Sequence, residues 1–304
     1  MKILVFTSRD HFHAPIILRE LALKRKEDEI IIATTPKLGN KGSLLTRISR
    51  IIQASGADYF FSLITAKICY SFLSLIERFI LKRPFPERKY ISIAEVINYF
   101  NIKQLNIINI NKKKSIELIK GLQPDIIITI LFNQILKEQL LKTPRYGAIN
   151  IHPAYLPYYR GFSPCFWVLA NNETETGVSI HYLSSPRTTS CPEPCVESLR
   201  NAELNTGKIN RYSPSTRLIR GKGIDDGPIL WQDKISISPN DSFFTLYRRS
   251  AIKEAEALPG ILDKVRNGEK GIPQDETKAT YFSVLTPKSV RYFRKHKRKF
   301  AWIF

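Results

Sequence analysis

An α/β fold built on a mainly parallel sheet follows from three features of this 304-residue chain. Short β-branched and aliphatic runs, KILVFT at 2–7, EIIIA at 29–33 and IIITI at 126–130, have the length and unbroken apolar character of strands buried on both faces. Stretches with helical spacing separate them, Ala14 to Lys24 being the clearest. A hydrophobic fraction of 43% supplies enough apolar side chains for a sizeable core. Strands alternating with helices place helices on both faces of the sheet, a Rossmann-like arrangement.

The elements follow in order. The first strand, Lys2 to Thr7, leads into TSRDHF, which lacks the glycines that let a backbone approach a pyrophosphate, so no NAD or ATP site is expected. Ser8, Arg9, Asp10 and His11 either line an acceptor pocket beyond the strand ends or are ordinary loop polarity. Between Gly56 and Arg83, an aromatic and aliphatic stretch carries one narrow polar stripe, Lys67, Ser71, Ser74 and Arg78. Lys67, Glu77 and Arg78 interrupt it, so it is read as not spanning a membrane; packing in the core or against a subunit is expected ahead of a membrane interface. After the turn Leu122-Gln123-Pro124-Asp125 come a strand (126–130), a helix (Lys137 to Leu141), a strand (Ala148 to Ile151), a helix (Ser163 to Asn171) and a strand (Gly177 to Tyr182).

From Ser242, the spacing of Leu246, Ala251 and Ala255 predicts a closing helix that Pro259-Gly260 breaks or kinks. The chain then sets seven Lys or Arg residues between 288 and 299 before an apolar end, a pattern suited to anionic lipid or RNA, or to a solvated terminus. A net charge of +20 attracts polyanions, tRNA among them, although a lysine-rich solvated surface gives the same figure. Four scattered cysteines make no disulfide framework, and CPEPC, with Cys191 and Cys195, lacks a second ligand pair at zinc spacing, so no metal is expected. The N-terminus shows no signal-peptide pattern, which points to a cytoplasmic protein.

The most informative stretch is GAINIHPAYLPYYRGFSP at 147–164. Strand alternation puts Asn150 and His152 on one side, an amide donor beside an imidazole where a carbonyl oxygen becoming negative could be held. Asn-x-His, Leu-Pro-x-Tyr-Arg-Gly and Asp-x-Gly-Pro occur in that order, the last in GIDDGPIL at 223–230. This constellation resembles the folate-dependent formyltransferase family, almost continuously from 130 to 183, again at GIDDGPIL, and weakly through QDETKATYFS. The resemblance implies catalytic roles for Asn150, His152 and Asp225, with Asp225 acting through an ordered water. It further implies a pterin pocket bordered by Phe132, Asn133, Gln134, Ile135 and Leu136, with Ile224 beside it, and His181 supporting the Asp225 loop. Tyr159 and Arg160 brace the loop after His152, Arg160 alternatively meeting an acidic acceptor.

The implied co-substrate is 10-formyltetrahydrofolate and the implied acceptor an amine. Too little chain follows the catalytic region for the C-terminal barrel of methionyl-tRNA formyltransferases, so a small molecule or nucleotide sugar is expected first and tRNA second. A catalytically impaired folate-binding or membrane-surface protein is the rival from another class. The expected organisation is a catalytic domain at 1–240 and a helical element with a basic tail at 241–304. Where the family has a short loop between His181 and Asp225, residues 184–222 intervene. With four prolines, five arginines against two lysines and no sustained periodicity, they are expected to be a disordered or loosely packed excursion. Deleting Ser185 to Gly221 is expected to preserve folding and to keep or raise formyl transfer, because loop closure depends only weakly on length while catalysis needs a fixed carboxylate. Melting temperature and single-turnover transfer on both proteins check this; a folded deletion protein without activity would make the segment an acceptor or lid element.

Overall fold

The computed structural model describes residues 1–9, 11–36, 48, 49, 52, 53, 56–184 and 224–300. Asp10, the excursion from 185 to 222 with Cys191 and Cys195, and residues 301–304 lie outside the described residues. Seven strands form one sheet: β1 (Lys2–Ser8), β2 (Glu29–Thr35), β3 (Lys103–Asn106), β4 (Ile126–Ile130), β5 (Ala148–His152), β7 (Glu175–Tyr182) and β8 (Ile229–Ser236), in the order β3-β2-β1-β4-β5-β7-β8. The first five pair in parallel, and β7 and β8 close one edge antiparallel. A small second sheet pairs β6 (Arg160–Gly161) with β9 (Tyr281–Phe282).

Alternation along the strands sorts the core into two layers. Ile3, Val5, Ile128 and Ile149 pack with α1 (Ala14–Lys24), α3 (Ile93–Phe100) and α7 (Phe243–Arg266). Leu4, Phe6, Ile127 and Ala148 pack on the opposite face with α4 (Lys113–Leu122) and α5 (Glu138–Leu141). A third cluster joins α6 (Pro164–Ala170) to the start of α7 and to α8 (Pro287–Lys295), where Phe166, Phe293 and Phe300 stack. Val290, Phe293 and Phe300 are buried, so the described part of the basic tail is not a frayed end.

The α/β class with helices on both faces is observed, and three local expectations are corrected. Pro259 does not break the helix that begins after Ser242, which runs from Phe243 to Arg266 around it. Its buried residues Leu258, Pro259, Ile261 and Leu262 continue the apolar face of α7, and that burial outweighs one missing backbone hydrogen bond. Core packing does not cover α2 (Ala57–Leu75): Phe61, Ile68 and Phe72 are each more than 60% exposed. A π turn, Ile76–Ile80, continues this helix, and Tyr59–Ile80 is long and apolar enough to cross a membrane despite its charges. Strands β3 and β8 were not read from the sequence, because KQLN and ILWQDKIS carry edge-strand polarity in place of an apolar run.

Glu254, on the buried face of α7, is 1% exposed, and its Oε1 has no hydrogen-bond partner among the described residues. Burial pushes its carboxyl up from an ordinary 4.5 to about 8. Below the ordinary value the group is protonated folded and unfolded; between the two values only the unfolded chain ionises, so stability declines as pH rises. Glu254→Gln is expected to abolish that decline and to gain on the order of a few kcal/mol relative to the parent at about pH 8. Urea melts of both proteins at about pH 5 and pH 8 check it, and parallel pH slopes would refute it.

Candidate active site

The sheet itself brings the first residues together. Register aligns Thr129 of β4 with Asn150 of β5, and Asn150 with His181 of β7, so the three form a cross-strand row. Thr129 Oγ1 donates to Asn150 Oδ1 at 2.7 Å, which turns the amide so that Nδ2 points away from β4. That nitrogen lies 3.2 Å from His181 Nε2 and donates to Asp225 Oδ1 at 3.0 Å. His181 Nδ1 is 2.8 Å from the Tyr182 carbonyl. A carbonyl only accepts, so the proton sits on Nδ1 and Nε2 accepts from Asn150.

His152 lies two residues further along β5, on the same face and 3% exposed. Its Nε2 is 2.9 Å from the Tyr159 carbonyl and must carry the proton there; Nδ1, 3.5 Å from Asp225 Oδ2, keeps its lone pair while the ring is neutral. Burial lowers the His152 pKa below its ordinary value, Asp225 opposing that shift without cancelling it. For Asp225, burial alone would raise the carboxyl; the nearby His152 and His181 and the Gly161 N–H, which donates to Oδ2 at 2.9 Å, outweigh it and hold the group well below the usual carboxylate range. Asp225 is thus an anion at neutral pH beside a largely neutral imidazole. Its carboxylate accepts from Asn150 at 3.0 Å and lies 3.5 Å from both imidazoles.

A second layer fixes the Asp225 loop. Asp225 adopts a left-handed φ of 52°, uncommon outside glycine and asparagine. Gln274 Nε2 donates to the Asp225 carbonyl at 2.8 Å and to that of Gly227 at 2.7 Å. Gln274 Oε1 in turn accepts from Arg160, whose guanidinium also forks onto both Glu276 carboxylate oxygens at 2.8 and 3.0 Å. Arg160 is 2% exposed and therefore braces the loop from inside instead of facing an acceptor. Tyr159, also at positive φ, stacks on Phe282; its N–H donates to Thr280 Oγ1 at 2.8 Å, and its hydroxyl donates to Glu173 at 2.8 Å and accepts from Asn171 at 3.2 Å.

Asn150, His152 and Asp225 border one cavity of about 260 Å³ at the carboxyl ends of β4 and β5. Phe132, Asn133, Gln134, Ile135, Leu136 and Ile224 all line it. The side-chain amides of Asn133 and Gln134 hold the loop to Pro36 and to Ile108 and Ile110. The lining mixes apolar side chains with a number of polar groups, the usual make-up of a small-molecule site. Ser8 and His11 also border this cavity, while Arg9 and His11 border a neighbouring one of about 410 Å³ that reaches Phe60, Lys67 and Tyr70 of α2. Among the described residues, no group of three His, Cys, Asp or Glu side chains has the arrangement of a metal site.

Sequence reasoning missed Thr129, although it is the one polar residue in IIITI and that was a usable signal. It also missed the roles of Gln274 and Glu276; both stand in the quoted stretch QDETKATYFS, but their partner Arg160 is more than a hundred residues away.

Residues 83–186 match the model of the formyl transferase family. The methionyl-tRNA formyltransferase of Kosmotoga olearia is 31% identical over 195 residues, which cover 64% of this chain and 51% of that protein. The chain spans about half the length of the curated relatives it matches. Among solved structures, an N-formyltransferase of Helicobacter canadensis in complex with folinic acid and dTDP-3-aminofucose superposes with a TM-score of 0.52 at 15% identity, covering 93% of this chain and 71% of the other. Glycinamide ribonucleotide transformylase 1 of Symbiobacterium toebii gives a TM-score of 0.52 at 12% identity, covering 90% and 93%. At these identities the structural likeness shows the fold.

The bracing role of Arg160 is open to measurement. Arg160→Met keeps the buried stem but removes the fork, leaving Gln274 and Asp225 less constrained, and is expected to cost about 2–3 kcal/mol of folding stability. Urea denaturation reads this out, and a variant as stable as the parent would show that the fork does not hold the loop.

Proposed function

We propose that this chain, whose residues 83–186 carry the formyl transferase pattern, moves a formyl group from 10-formyltetrahydrofolate to the amine of a small-molecule acceptor, a nucleotide sugar being the first class to test. The observation that carries the reading is the convergence of Asn150, His152 and Asp225 on one cavity, two of them on a single strand.

The chemistry assigns each residue a task. When an amine attacks the formyl carbon, its oxygen becomes negative, and Asn150 exchanges its bond to Asp225 for one to that oxygen. Losing such a donor costs about 3–4 kcal/mol of transition-state stabilisation. The nitrogen must shed a proton. His152, fixed by the Tyr159 carbonyl with its Nδ1 lone pair open, takes the proton, and the resulting imidazolium lies 3.5 Å from the Asp225 carboxylate. The same proton then passes to the departing folate nitrogen as the carbon–nitrogen bond breaks. Asp225 is ionised before the amine arrives, so it stabilises the imidazolium without itself changing charge.

The acceptor assignment draws support from the second cavity, which adjoins the first at His11 and is large enough for a group beyond the reacting amine. A tRNA acceptor is the second reading, favoured by the sequence similarity to methionyl-tRNA formyltransferases and by the +20 charge. Purified protein assayed with 10-formyltetrahydrofolate against aminated nucleotide sugars and against methionyl-tRNA separates the two. Heat of binding to a non-reactive 10-formyl folate analogue, with no turnover on any amine, would instead identify a folate-binding protein without activity.

With an active acceptor in hand, Asn150→Ala and His152→Ala are each expected to lower single-turnover transfer about a hundredfold or more. The parent rate is expected to rise with pH through a value below 6.5 and then level, because only neutral His152 accepts the proton. Asp225→Asn removes the anion that raises the His152 pKa, so its acidic limb is expected to move to lower pH while the plateau falls about a hundredfold. An unshifted limb in Asp225→Asn would sink the assignment of His152 as the titrating base.

A further inference from the structure

We propose that α2 is a docking element that lies flat in the surface of an anionic membrane, with the basic C-terminal segment gripping the headgroups beside it. The outer side of the helix bears Phe61, Ile64, Ile68, Phe72, Leu75 and Phe79, spaced by three and four residues along five turns. Each is between 40% and 64% exposed. A continuous apolar stripe of this length on a helix surface marks an interaction site.

The opposite side is tied to the domain. Tyr70 donates its hydroxyl proton to the Ile91 carbonyl at 2.8 Å and accepts from the Ile91 N–H at 3.0 Å. Glu77, 3% exposed, accepts the N–H groups of Lys89 and Tyr90 at 2.8 and 2.9 Å and pairs with Arg83 at 3.0 Å. To cross a bilayer the helix would have to strip a buried carboxylate of these donors, at a cost of several kcal/mol. It therefore stays on the domain and offers only its outer face, the geometry of an interfacial helix immersed by about 5–10 Å.

Charge identifies the occupant. The start of α2 adjoins the tail: the Tyr59 and Phe300 rings are 5.2 Å apart, and Gly56 sits against Pro287 at the head of α8. From Pro287 to Phe300 there is no acidic residue, and Lys288, Arg291, Lys295 and Lys297 are exposed. Lys67, Arg78 and Lys82 flank the stripe itself and are exposed too. Apolar insertion next to clustered cations is complementary to an anionic bilayer, each surface cation adding to the attraction. A second copy of a chain with net charge +20 would instead bring two cation clusters face to face.

The test uses the full chain and sedimentation with vesicles of phosphatidylcholine alone or with about one-third phosphatidylglycerol. Binding is expected only to the anionic vesicles, weakening at least tenfold at high salt and at least tenfold in Ile68→Glu and in Phe72→Ser. Both positions are more than 60% exposed, so melting temperatures are expected to match the parent. Three results would overturn the proposal. These are no vesicle binding; binding that survives both helix substitutions and is lost when the exposed Lys288, Arg291, Lys295 and Lys297 are all changed to Gln, which makes the tail the sole anchor; and a dimer that the helix substitutions dissociate in protein that binds no vesicles.

Discussion

A carboxylate with only a tenth of its side chain exposed must be surrounded by donors, and the chain meets that demand at Asp225 from widely separated places. Asn150 donates from a central strand and Gly161 from the small second sheet, while His181 of β7 lies 3.5 Å away. Gln274, held by buried Arg160, binds the backbone on which the carboxylate rides. Removing any one leaves a buried charge short of partners, so the site and the packing of the second sheet are mutually dependent. The left-handed backbone at Asp225 is held within this web.

That dependence explains which parts of the molecule could be read from the sequence. The central strands are legible because burial on both faces requires unbroken runs such as KILVFT and IIITI. Asn150 and His152 are legible because they punctuate one such strand before a proline-rich turn, in an order shared with a known family. The partners of Arg160 are not, since a buried guanidinium needs oxygen acceptors but nothing near it in the chain says where they come from. Nor could periodicity decide the surroundings of α2. Its polar stripe is visible, yet an apolar helix face looks the same whether protein covers it or not, and only the tertiary structure leaves Phe61 and Phe72 uncovered.

The excess of positive charge also changes meaning once it has a location. Spread evenly, +20 would describe a solvated surface; seven of the cations instead fall in the dozen residues after α8 begins, and that segment is anchored by Phe293 and Phe300 beside the root of α2. The second cavity reaches from Phe60, near the root of α2, to His11, so that cavity and the exposed helix share Lys67 and Ile64 in their boundary.

The cross-strand row of Thr129, Asn150 and His181 has one more implication. Because strand side chains alternate, the cavity-lining Asn150 and His152 of β5 and the core residues Ile149 and Ile151 occupy opposite faces of the same five-residue segment. A slip of one position would drive an imidazole and an amide into the hydrocarbon packed under α1 and α7 and turn two isoleucines into the reaction chamber. Misregistered molecules would therefore lose core packing and the polar wall of the cavity together, so quality control acting on stability alone also removes conformers with a disassembled site.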